Sequence, residues 1–294
     1  MSAFATATTV PQLKTELVRW KSVLVLTDLS ASSKKALEYA AQIARQFGST
    51  VHMLHAVAPI AVADYGANGP GLVVPEIEVA AEQEMRILAE GEALKGIEHT
   101  WDVQVGTVPM LVEEMTSKYR IDLIVCATHA PGALERLTFG SVAEWVARGS
   151  GSPCMLLGKE AVKRERPFEM KRVLFATALK ADSLRSVQFA EGFAGAIGAE
   201  LMVMHVVEKS GGSVEDVRER MSGLLWKDLV SAGVAVEHGD VVKGILRRAE
   251  QMKPDLIVMG LRQGPLAHHA PWAKVSEVLA QAKCPVLAVP EHFR

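Results

Sequence analysis

Short apolar runs alternate along the chain with stretches that are apolar at every third or fourth position. In the first half the runs read VLVLT, VHMLHAV, WDVQV, DLIVCA and CMLLG, each bounded by turn residues. Between them lie segments such as SKKALEYAAQIARQF and EIEVAAEQEMRILAEGEAL, whose spacing predicts amphipathic helices. Runs that are apolar on both faces suit strands of a parallel sheet with helices on each side. The alternation therefore predicts a doubly wound α/β sandwich with right-handed crossovers. Ligands of such sheets sit beyond the carboxyl ends of the strands, where the strand order reverses. Candidate functional residues are thus sought directly after each strand.

The pattern occurs twice. Residues 21–57 align with 171–207 at an offset of 150, with 12 of 37 positions identical, among them Thr27/Thr177, Gly48/Gly198 and His55/His205. Residues 106–125 align with 239–258 at an offset of 133. The difference, 150 − 133 = 17 residues, falls most simply in the Gly- and Pro-rich stretch 58–75. The chain then divides into an N-terminal extension (1–20), a first α/β sandwich domain (21–158), a charged linker (159–170) and a second α/β sandwich domain (171–294). At 294 residues the length suits two domains of about 150 residues each.

Composition narrows the class without naming a ligand. The 32 basic and 34 acidic residues give a net charge of −2, and such a balance favours neither nucleic acid nor an anionic membrane. No apolar run approaches the ~20 residues of a membrane helix, and no secretion signal is expected. Cys126, Cys154 and Cys284 lie far apart within or beside apolar runs, which reads as buried reduced thiols of a cytoplasmic protein, with no metal site expected.

Two strand ends carry chemistry. Asp28 is the first charged residue after the first strand, where a carboxylate could accept from a ligand hydroxyl or amino group. The competing reading is that Asp28, with Ser30, caps the following helix. After the fourth strand, CATHAPGALERLTFGSVAE places Gly140 and Ser141 before a helix, so free N–H groups point at the sheet edge, ready for an anion. Here the competing reading is a capping box, Ser141 to Glu144. The second copy has Ala178 in place of Asp28, and Ala273-Lys274 in place of Gly140-Ser141. Losing both features together points to one shared, dispensable task, which is binding.

An acid after strand one, and a strand-four motif of the type G-x2-G-x9-G-[S/T], resemble the universal stress protein family. Other stretches are similar to that family too: HMLHAV and VMHVV, the paired DLIV runs, ATH, GSVAEWV and the closing CPVLAV. The resemblance spans about 21–157 and 171–290 as a tandem pair. It implies a five-stranded parallel sheet of order 3-2-1-4-5 in each domain. It also implies pairing of the two domains through the apolar last strands, SPCMLLGK and KCPVLAVP, leaving open whether two chains form a homo-oligomer. One branch of the family binds ATP and another does not.

Carried onto this sequence, the resemblance implies that Asp28 meets the adenosine and the backbone at Val57 the adenine edge. Ala127, Thr128, His129 and Ala130 would approach ribose and phosphate, while Gly140, Ser141 and Val142 would hold the phosphates. The ligand would be ATP or AMP, with or without Mg, one per chain. The sequence departs from the motif in having A-x2-A-x9-G-S, and Pro131 removes one N–H. If Ala127 or Ala130 had to take a positive φ, its Cβ would cost about 1 kcal/mol. The alternatives are a non-nucleotide interaction module and a slow ATP hydrolase; no catalytic residue is assigned. His55 and His205, matched in both copies, are expected to be structural. The long stretch 58–75 is expected to be a lid or an inter-domain contact.

Overall fold

A computed structural model of the chain describes residues 18–58, 73–128, 141–165, 168–179, 183–208, 213–220, 233–261 and 270–290. In the first half, β1 (Ser22–Leu26), β2 (Thr50–Val57), β3 (His99–Val105), β4 (Leu123–Ala127) and β5 (Cys154–Leu157) alternate with helices. These are α1 (Ala31–Phe47), α2 (Val73–Ala89), α3 (Val108–Tyr119) and α4 (Ser141–Gly149). A short helix, α5 (Lys159–Val162), leads to the second half. There β6 (Arg172–Ala176), β7 (Glu200–Val207), β8 (Gly233–His238), β9 (Leu256–Leu261) and β10 (Val286–Pro290) alternate with α6 (Ser183–Ile197), α7 (Val214–Arg220), α8 (Val241–Met252) and α9 (Ala270–Gln281).

The expected order appears in each half, and the two sheets fuse into one. The strands run β3-β2-β1-β4-β5-β10-β9-β6-β7-β8. All neighbours are parallel except β5 and β10, which pair antiparallel with Leu287 opposite Met155. The apolar last strands thus cover each other's edges. One core, under α1, α2 and α6, contains Val25, Met85, Phe175 and Phe193. The other, under α3, α4, α8 and α9, contains Leu24, Met115, Ile257 and Leu279. Each core runs through both halves. Complete burial of one such side chain is worth about 1.5–3 kcal/mol.

Described residues in two stretches assigned outside the domains are packed. Trp20, at the end of the 1–20 extension, is buried and its ring lies 5.3 Å from that of Phe47 and 4.8 Å from that of Phe193. It therefore joins α1 to α6 across the halves. In the 159–170 linker, Phe168 and Met170 are buried, and Phe168 lies 4.3 Å from the Tyr39 ring. The paired DLIV runs also have a structural meaning. Asp122 accepts hydrogen bonds from the N–H groups of Lys21 and Ser22, and Asp255 from those of Lys171 and Arg172, so each aspartate fixes the start of its first strand.

Candidate functional site

The turn after β1 is built by Thr27. Its Oγ1 accepts from the Leu29 N–H at 3.0 Å and donates to Ser33 Oγ at 2.9 Å. This bend forces Leu29 to φ 65°, a left-handed conformation that costs an ordinary side chain about 1 kcal/mol. Ser30 is the helix cap, accepting from the Ser33 N–H at 3.2 Å. Of the two residues expected to cap α1, Ser30 does so and Asp28 instead holds Ser30: its Oδ1 accepts from Ser30 N–H at 3.1 Å and from Ser30 Oγ at 2.5 Å. Oδ2 has no hydrogen-bond partner among the described residues, and the side chain is exposed. Partial burial pushes the Asp28 carboxyl up, but the hydrogen bonds from Ser30 outweigh it and hold the group below its ordinary value. It is a carboxylate at neutral pH.

The second half makes the same bend without the acid. Thr177 Oγ1 accepts from the Leu179 N–H at 3.2 Å, and Leu179 has φ 52°, with Ala178 between them. Asp28 is therefore not required by the turn it occupies. The matched histidines are structural in both halves: Nδ1–H of His55 donates to the Thr27 carbonyl at 2.9 Å, and that of His205 to the Thr177 carbonyl at 2.8 Å.

At the end of β2, Val57 is buried and its carbonyl accepts from the Gly106 N–H at 2.9 Å. Val207 and Gly239 repeat this contact at 2.9 Å, so it belongs to the sheet. The Ala127 backbone is not in the left-handed region, and its methyl group carries none of that strain. Its equivalent, Gly260, faces Ser186, whose Oγ would lie 3.1 Å from an added Cβ. The first half has the smaller Ala36 at the position of Ser186, which leaves room for the Ala127 methyl. Thr128 differs from expectation. Its N–H and its hydroxyl both donate to the Leu157 carbonyl, at 3.0 and 3.2 Å, so neither donor is offered to a ligand. The strand pairing to β5 claims it.

Ser141 and Val142 open α4, and Val142 is 40% exposed. Glu144 accepts from Arg148 one turn down the helix at 2.7 Å. The position of Ser141 has a different arrangement in the second half: Lys274 stands one turn inside α9 and pairs with Glu208 at 3.2 Å, so it is not an unpaired charge at a helix end. His129, Ala130 and Gly140, and residues 59–72 of the long stretch, lie outside the described residues. Asp28, Val57, Ala127 and the start of α4 do come to the same carboxyl edge of the sheet, on β1, β2, β4 and the helix after β4.

Among the described residues, no group of three or more His, Cys, Asp or Glu could hold a metal ion. The three thiols are free and buried, and burial raises the Cys126 thiol strongly and those of Cys154 and Cys284 to about 12, which makes them poor nucleophiles. No helix among the described residues is long and apolar enough to cross a membrane. A groove of about 440 Å³ lies elsewhere, between α1 and the linker, with Lys35, Arg45, Glu165 and Phe168 on its walls.

The family model for the universal stress protein family matches residues 19–158 and again 169–290. The chain belongs to the universal stress protein family. It carries two copies of the family's domain in tandem. A universal stress protein of Methanocaldococcus jannaschii is 28% identical over 146 residues, covering 48% of this chain and 83% of the relative. A universal stress protein A homologue of Coxiella burnetii is 30% identical over 127 residues, covering 41% of this chain and 84% of the relative. The crystal structure of a universal stress protein from Archaeoglobus fulgidus superposes with a TM-score of 0.72 at 21% identity, covering 92% of this chain and 97% of that one. A Pseudomonas aeruginosa protein described as functionally unknown follows at 0.59 and 17%, covering 92% of each chain. These two likenesses concern the fold, and they extend over both halves.

Proposed function

We propose that this tandem universal stress protein is a stress-response module that binds one adenine nucleotide, ATP or AMP, in its first half. The observation that carries the reading is the difference between Asp28 and Ala178. Both halves build the same Thr-dependent bend, yet only the first adds an exposed carboxylate with a free oxygen at the switch point. A carboxylate there would accept from the ribose hydroxyls or base amino group of a nucleoside. The exposure of Val142 beside Ser141 supports open access to the start of α4, where backbone N–H groups favour phosphate. Ala127 is no obstacle, since its backbone is unstrained. Storage or sensing, rather than turnover, is the reading we adopt.

A second reading is an interaction module without nucleotide. What favours it is Thr128, whose two donors are spent on Leu157. The two readings part in a calorimetric titration of the full chain with MgATP and with AMP. One site per chain, lost in Asp28→Ala while the melting temperature stays put, supports the nucleotide. No heat and no thermal shift at millimolar ligand would leave the interaction module. Because β5 and β10 already cover each other within one chain, a homo-oligomer of folded, unswapped chains would use another surface.

A further inference from the structure

At the edge where the first half presents Asp28, the second half presents contacts between its own side chains. Glu208 follows β7 directly, at the position that Ala58 takes after β2. Lys274 takes the position of Ser141. Their charged groups lie 3.2 Å apart, so the end of β7 is tied to the first turns of α9 across the strand ends. The next position along the helix agrees: Val275 is 1% exposed, whereas its equivalent Val142 is 40% exposed. The ion pair and the burial of the neighbouring Val275 thus report the same difference between otherwise matching halves.

We propose that the second half is a self-occupied copy of the nucleotide site, in which the Glu208–Lys274 ion pair spans the gap a nucleotide would bridge. The inference rests on the nucleotide reading of the first half for the identity of the ligand. A nucleotide lying from the end of β7 to the start of α9 must part the two charges, and it finds Ala178 where a carboxylate would receive it. The pair is partly exposed, with 43% of the Lys274 and 64% of the Glu208 side chain accessible. Such pairs are worth at most about 1 kcal/mol, or about fivefold in affinity. The lost acid is then the larger part of the closure and the ion pair the smaller. Restoring the acid reopens the site, and parting the pair adds the remaining affinity.

The test uses the full chain and MgATP as probe. Asp28→Ala silences the first half, and into that background go Ala178→Asp alone, then Ala178→Asp with Lys274→Ser. Calorimetry is expected to find no binding in the parent, weak binding with the acid alone, and one site about fivefold tighter once the pair is also removed. Glu208→Gln with Ala178→Asp parts the pair from its other side and should give the same gain, which covers the case where the serine variant does not fold. A folded triple variant that binds nothing overturns the proposal. So does equal affinity with and without the pair. If the wild-type chain binds no nucleotide while the opened second half does, the first-half reading fails and the closure stands.

Discussion

The Arg164 guanidinium meets the Asp255 carboxylate at 2.7 Å, with their side chains only 17% and 6% exposed. Asp255 also accepts from the N–H groups of Lys171 and Arg172, so one carboxylate ties the inter-domain stretch to the base of β6. Asp122 performs the backbone part of this task in the first half. Replacing Arg164 by Met keeps the stem's packing but leaves a buried carboxylate with two donors. Breaking buried pairs costs 3–5 kcal/mol, and the remaining N–H groups put this one near the lower end, about 3 kcal/mol. Urea denaturation measures it; a loss below about 1 kcal/mol would show that Asp255 is satisfied without the arginine.

Trp20 should behave as a core residue. Its ring joins Phe47 of α1 to Phe193 of α6, so Trp20→Ala removes a contact between the halves as well as buried area. A loss of about 3–5 kcal/mol is expected. Separate melting of two units in calorimetry would further indicate that this cluster couples them. A variant with wild-type stability is incompatible with the burial.

Gly158, between β5 and α5, has no room for a side chain, because a Cβ there would run into the Leu279 carbonyl of α9. Gly158→Ala should cost about 1–3 kcal/mol through overpacking at the junction of the halves. Gly48→Ala is the contrasting control: space is open there, and only its left-handed φ of 67° is penalised. If Gly158→Ala proves the milder of the two, α5 is not held against α9.

His52 gives a pH dependence with a definite sign. Burial holds its imidazole below the ordinary value of 6.5. Ser22 donates to the Tyr119 carbonyl, so His52 Nε2–H donates to Ser22 Oγ, while Nδ1 accepts from the Thr100 hydroxyl. Since the folded value lies below the unfolded one, the unfolded chain binds the proton first as pH falls. The stability contribution is complete above about 6.5 and lost progressively below it. Chemical denaturation at pH 7.5 and 5.5 should show a drop that shrinks in His52→Gln. An unchanged slope would assign the acid sensitivity to other groups.

The architecture was readable because it is periodic. Two copies of one apolar pattern specify the strand order twice, and matched His55 and His205 could be set aside as structural because both copies keep them. Trp20 and Phe168 were not readable. Each sits among charged or polar neighbours in sequence, and what buries it is a ring from a distant part of the chain. The fusion into one sheet depended on which way the last strands face each other, which no local spacing encodes. At the candidate site, Asp28 was found by its position after a strand, but its bond to Ser30 and the role of Thr27 needed geometry. For Ala127 the question raised by a missing glycine was one of backbone angle, and only coordinates answer it.

The antiparallel seam between β5 and β10 also sets an order of events during synthesis. The first half is complete in sequence once Leu157 has emerged, yet the flank of its last strand stays bare until Val286–Pro290 arrive. Over that interval a ribosome-bound chain offers an unpaired apolar strand to neighbouring nascent chains, the situation in which cross-chain pairing and swapped products arise.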